Sequence, residues 1–134
     1  MFIMKFRWNI LMNITPFCDC YGMGMPNVIE DIGILGSKDI VAVETATLDL
    51  IKKEGLIEKN IPPFLEHVNL NPNENLHPFT RVHGPFKDPY ETVQFAEKMG
   101  MGSSDYELVE ILSAEETMKM EAPKIQYEGS PTFF

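Results

Sequence analysis

Residues 31–55, DIGILGSKDIVAVETATLDLIKKEG, constrain this chain more than any other stretch, because a short strand, a cap and a helix follow one another with no slack between them. Asp31-Ile32-Gly33-Ile34-Leu35-Gly36 is an apolar run of strand length that stops at a glycine. Ser37 and Asp39 then offer side-chain oxygens to cap a helix, and Val43, Ala46 and Leu50, with Thr47 beside them, recur at helical spacing. Lys52 and Lys53 suit the negative end of the helix dipole, and Gly55 supplies a C-cap. The spacing predicts a helix over 39–54, although β-branched Ile40, Val41 and Val43 would also suit a strand prolonged into its first turn. A chain holding such a unit folds as α/β, with helices packed on a small sheet.

The prolines sort the remainder. Phe6–Ile14 is rich in large apolar residues but too short before Pro16 for a good helix, so it reads as a strand, and residues 15–27 have the composition of a loop. From 56 to 87, Pro62, Pro63, Pro72, Pro78 and Pro85 predict a long irregular arm, with no more than a turn around Phe64–Val68. The arm carries all three histidines, His67, His77 and His83. Asp88-Pro89-Tyr90-Glu91 starts a helix with Asp as N-cap, Pro at the first position and Glu at the third, and Gly100 ends it. Tyr106–Leu112 alternates as a strand, placing Tyr106, Leu108 and Glu110 on one side and Glu107, Val109 and Ile111 on the other. Ser113 and the residues after it suggest a last short helix, and from Ala122 an extended tail runs to Phe133 and Phe134. The organisation expected is one α/β domain over 1–112, including the arm at 56–87, followed by the short helix and tail at 113–134.

Composition bounds the function. A chain of 134 residues, 44% hydrophobic and 23% charged, buries a core without metal or disulfide staples. No apolar run approaches the ~20 residues of a membrane span. Arg7, Asn9 and Asn13 interrupt what would be a signal-peptide core, so a cytoplasmic protein is expected. The net charge of -9 repels phosphate backbones and anionic lipid, which argues against nucleic acid and membranes as partners.

The chemistry concentrates in TPFCDCYGMGMP, residues 15–26, which hold both cysteines of the chain. Two residues span at most ~7 Å, at or beyond the edge of comfortable disulfide geometry, so a stable Cys18–Cys20 bond is disfavoured. Two thiolates at this spacing can grip one soft metal ion or one iron of a cluster once other ligands complete the shell. Candidates for completion are Asp19, Asp31, one of the three histidines, Met23 and Met25, or the same pair from a second copy. Histidine would suit zinc or iron, and methionine Cu(I). Asp19 opposes thiolate formation by like-charge repulsion. Packed thiols, a metal-ligand pair and a redox pair are the readings the spacing leaves, with a Cys–His nucleophile of a thiol enzyme as a further one. The Ile34–Asp39 junction lacks a phosphate-loop pattern and reads as a capped turn, while Glu44 and Asp49 read as solvated carboxylates. These residues name no reaction. A different class of function, a metal-free interaction or assembly subunit, would use the proline-rich arm and the tail to form a homo-oligomer or to join a larger protein.

The run from Thr15 through Leu50 resembles the C-terminal part of a prokaryotic family, domain of unknown function 362, whose pattern is Asn-x-Thr-Pro-x-Cys-Asp-Cys, then Pro-Asp-Ile-Gly-Ile-Leu-x-Ser-x-Asp-Pro-Val-Ala and an Asp-Leu helix end. Asn13, Thr15, Pro16, Cys18, Asp19, Cys20, Asp31–Leu35, Ser37, Asp39, Val41, Ala42, Asp49 and Leu50 match it. Glu30 and Ile40 stand where the pattern has prolines, and Gln94–Ile111 is similar to the family's closing segment. The Cys-x-x-Cys runs of the family's ferredoxin segment do not occur in these residues. The resemblance implies an iron–sulfur-associated protein without the ferredoxin clusters. It points to Cys18 and Cys20 as ligand or redox pair, to Asp19 and Asp31 as residues that tune or join the shell, and to an iron–sulfur cluster or a zinc or iron ion as cofactor.

Overall fold

A computed structural model of the chain describes residues 5–18, 20, 22, 24–65, 75–84, 88–111 and 113. Among them run β1 (Arg7–Leu11), β2 (Gly33–Ser37), α1 (Ile40–Glu54), a single 3₁₀ turn (Glu58–Asn60), α2 (Pro78–His83) and α3 (Tyr90–Lys98). The strands pair antiparallel, with Arg7 opposite Ser37 and Leu11 opposite Gly33, and α1 packs on one face of this small sheet. The α/β expectation therefore holds.

The strand, cap and helix at 31–55 form as their residues dictate. Asp39 Oδ1 accepts the amides of Val41 and Ala42 at 2.8 and 3.1 Å, closing the first turn of α1. The β-branched first turn is helical, because Val41 and Val43 bury their side chains in the core. At the far end the Gly55 N–H bonds Ile51 O with φ at 78°, a conformation that glycine adopts without strain. Facing the helix from β1, Asn9 Nδ2 donates to Thr47 Oγ1 at 2.8 Å and to Glu44 Oε1 at 3.2 Å. Thr47 in turn donates to Val43 O, so this polar group beneath the sheet is satisfied on both sides.

Two apolar clusters make the core. One gathers Leu11, Val28, Ile29 and Ile51, the other Val41, Leu48 and Val93, and Phe79 of α2 packs against both. This placement explains a departure from the sequence reading, which expects only irregular backbone in the proline-rich arm. Pro78 stands at the first position of α2, where its missing N–H costs nothing. His77 caps the helix, its Nδ1 accepting the Phe79 amide at 3.1 Å.

Helix α3 begins after Asp88, whose Oδ1 accepts the Tyr90 amide at 3.0 Å, and ends in a Schellman turn. There the Met101 N–H reaches Ala96 O, the Gly100 N–H reaches Glu97 O, and Gly100 is left-handed at φ 74°. The strand expected at Tyr106–Leu112 does not form over the described residues 106–111. The alternation is present, but no neighbouring strand lies within hydrogen-bonding reach among the described residues, and a strand exists only as part of a ladder. The expected last helix and the tail, from 114 onward, lie outside the described residues.

Candidate functional site

The cysteine loop is the tip of a long irregular hairpin. Beyond the β1–β2 ladder the chains meet again at an isolated bridge between Ile14 and Ile29, reinforced by the Val28 N–H to Ile14 O bond of 2.8 Å. Between ladder and bridge, residues 12–13 oppose 30–32, so one strand carries an extra residue, as in a bulge. Asn13 absorbs the mismatch in a left-handed conformation, φ 52°, and Asp31 Oδ1 accepts its amide at 2.6 Å. Asp31 thus fixes the entry to the loop.

The loop's base is anchored and its tip is open. Val28 and Ile29 are almost completely buried, and the return strand is pinned by Ile57 N–H to Val28 O and Asn60 Nδ2 to Asn27 O, both 2.8 Å. Pro16 is buried as well, and the Thr15 hydroxyl donates to Phe17 O at 2.7 Å, turning the chain outward. Past this point Cys18 and Cys20 are exposed and outside any disulfide, and the Cys20 N–H points at Cys18 Sγ over 3.3 Å. An amide donated to sulfur within a short Cys-x-Cys turn is the contact by which thiolate ligands are oriented and tuned.

The expected ligand set divides. Asp19, Met23 and His67 lie outside the described residues. Asp31 is committed to Asn13, and among the described residues no three of histidine, cysteine, aspartate or glutamate gather as a metal site. His77 is removed from the candidates by its bonds. It is 4% exposed, its Nδ1 accepts the Phe79 amide, and its Nε2 therefore carries the proton donated to Leu48 O at 3.0 Å. Burial, the larger influence, holds its pKa below the ordinary histidine value against the opposing Leu48 carbonyl. Of the described histidines, His83 approaches the loop: α2 sets its ring edge-on to Phe17, with centroids 5.5 Å apart. Phe17 adjoins Cys18, a neighbourhood that no sequence spacing reveals.

A second polar centre sits on α1, and sequence reasoning misses it. Asp49 is not simply solvated: Oδ1 accepts the Tyr90 hydroxyl and Oδ2 the Tyr106 hydroxyl, each at 2.7 Å. Burial first, then the Asp49 bond, pushes the Tyr90 phenol well above its ordinary range. The Asp49 bond chiefly pushes Tyr106 up to about 12. Asp39 also serves two segments, its Oδ2 accepting the Ser103 amide at 2.9 Å while its Oδ1 caps α1. Glu97 takes the Ser104 amide and hydroxyl. Three carboxylates thereby fix residues 102–106 against α1 and α3.

Residues 1–49 match the family described as Domain of unknown function (DUF362). Over this span, which is less than half of the chain, the chain is similar to that family. The matched DUF362 residues take in β1, the whole cysteine loop, β2 and α1 as far as Asp49; the segment 94–111 lies outside the match. No curated protein and no solved structure matches the chain. None of the helices over the described residues is long and apolar enough to cross a membrane.

Proposed function

We propose that this chain is a metal- or iron–sulfur-associated module in which Cys18 and Cys20 act together as a soft ligand pair. The observation that carries the reading is the loop itself: two exposed thiols on an anchored turn, with the Cys20 amide directed at Cys18 Sγ. A pair whose role was packing would be buried, as free cysteine usually is. In a cytoplasmic, reducing setting both sulfurs stay as thiols, which would lose their protons on binding a metal. Cys18 and Cys20 supply two ligands, and His83, whose ring meets that of Phe17 next to Cys18, is a candidate nitrogen donor from the arm. Bound metal would supply Lewis acidity or electron transfer according to its identity. The chain's own work is to hold the thiolates at fixed spacing and to donate the Cys20 amide to sulfur.

The test is metal analysis of protein purified without oxygen, alongside a Cys18→Ser/Cys20→Ser variant. Zinc, iron or copper in a fixed ratio to protein, lost in the variant while its circular dichroism is unchanged, is expected. Equal metal content in both proteins would overturn the reading.

A further inference from the structure

The thiol pair supplies two donors, and the composition of the chain decides where further sulfur comes from. Its 134 residues hold two cysteines, Cys18 and Cys20. The closed shells of soft tetrahedral ions are four cysteines, three cysteines with one histidine, or two of each. One copy can reach only the last of these, and that shell takes two of its three histidines. His77 is withdrawn, because one ring nitrogen accepts the Phe79 amide and the other bonds Leu48 O. Among the described residues, no histidine or carboxylate joins the two cysteines in a group of three. A four-thiolate shell, the softest of the set, takes two copies of this chain.

The loop is shaped for sharing. A metal–sulfur bond is only ~2.3 Å long, so donors from two chains meet on one ion only where both stand at a surface that can touch its copy. Cys18, Cys20, Gly22, Gly24 and Pro26 are all exposed, and among the described residues a Cβ added at Gly22 or Gly24 would meet nothing within 4 Å. The tip therefore has open space around it, and its glycines carry no side chain to hold a second tip away. Its base is fixed by buried Val28 and Ile29 and by the Asn60 bond to Asn27 O, so the sulfurs are presented from a rigid support. A two-fold contact sets the same patch of one copy against that of the other and then closes, so four sulfurs collect at one point and growth stops at a dimer.

We propose, building on the ligand-pair reading, that two copies of this chain meet tip to tip and hold one soft metal ion between their Cys18–Cys20 pairs. The four thiols release their protons to solvent as the ion binds. Each copy carries a net charge of -9, so the copies repel, and the contact between two loop tips is small. The ion, rather than apolar burial, is what joins them: the metal-free chain is a monomer, and the dimer forms as metal is bound.

The test titrates the full chain, reduced and metal-free under nitrogen, with Zn(II), reading mass by light scattering and bound zinc by elemental analysis of the same peak. The mass is expected to double from 15.3 kDa with a break at one zinc per two chains, and to return to its starting value when a chelator is added. Cys18→Ser and Cys20→Ser each remove two of the four sulfurs at once, so neither variant should dimerise at the zinc concentration that saturates the parent. Both side chains are exposed, and unchanged circular dichroism shows that the variants fold. One zinc per chain on a monomer assigns the remaining ligands to the chain itself; it overturns this proposal and leaves the ligand-pair reading standing. A dimer that forms without zinc, a dimer that survives in the variants, or no zinc bound by the parent overturns it as well.

Discussion

Replacing Gly102 by alanine should destabilise the protein only while Asp39 keeps its carboxylate. The Gly102 backbone is not left-handed, so alanine is conformationally allowed there, but the added methyl would collide with Asp39 Oδ1. That oxygen caps α1 through Val41 and Ala42, and its partner holds the Ser103 amide. Asp39→Ala removes the cap, about 1 kcal/mol, and the favourable charge at the helix N-terminus, about 0.5 kcal/mol. With ~4 °C per kcal/mol for a chain of this size, the melting point should fall by about 6 °C. Gly102→Ala pushes the carboxylate off its amides and should cost about 1 kcal/mol alone. In the Asp39→Ala background it meets nothing and should cost close to zero, so the double-mutant cycle should return a coupling of about 1 kcal/mol. Urea melts of the four proteins measure it. Equal costs for Gly102→Ala in both backgrounds would refute the idea that one carboxylate joins the start of α1 to the segment after α3.

Three further outcomes follow from the same contacts. His77 has a folded pKa below its unfolded value, so its contribution is complete above about pH 6.5; stability should decline as the pH falls below that value, because the unfolded chain takes up the proton first. A His77→Gln variant melted across pH 5–8 should lose that part of the slope, and an unchanged slope would count against neutral His77 as the cap of α2. Tyr106 is shifted upward to about 12, so its contribution is complete below the unfolded value of about 10 and is lost as pH rises between the two; phenol absorbance should show a late-titrating tyrosine that becomes ordinary in Asp49→Asn. Tyr106→Phe should cost about 1 kcal/mol and loosen the segment after α3, seen as faster amide exchange over residues 103–106 with α1 unaffected.

What was legible in the sequence is what local chemistry decides. Asp39 and Gly55 bound α1 as their residue types predict, Asp88 takes the Tyr90 amide just ahead of the N-cap Pro89 and Gly100 ends α3, β1 lies within the stretch expected, and β2 overlaps its own but runs on to Ser37. Helix α2 was hidden because proline marks breaks in general, while Pro78 occupies the one helical position that tolerates it, behind a histidine cap outside the usual capping set. The segment 106–111 misleads in the opposite sense, since its alternation is that of a strand but pairing depends on a partner that local sequence does not encode. At the site, the two thiols were legible and the commitments of their neighbours were not. Asp31 serves the bulge at Asn13, His77 serves α2, and His83 comes to the loop through Phe17 across about half the chain. Asp49 looked like any helix carboxylate because the tyrosines that bind it lie 41 and 57 residues away.

The Cys18–Cys20 pair is tested most directly by titrating the reduced, metal-free protein with Co(II) under nitrogen and recording the near-ultraviolet thiolate-to-metal charge-transfer band. The account predicts a band that saturates at a fixed ratio of metal to protein, weakens in Cys18→Ser and in Cys20→Ser, and vanishes in the double variant. A band of equal strength in all four proteins, or none in the parent, would contradict it.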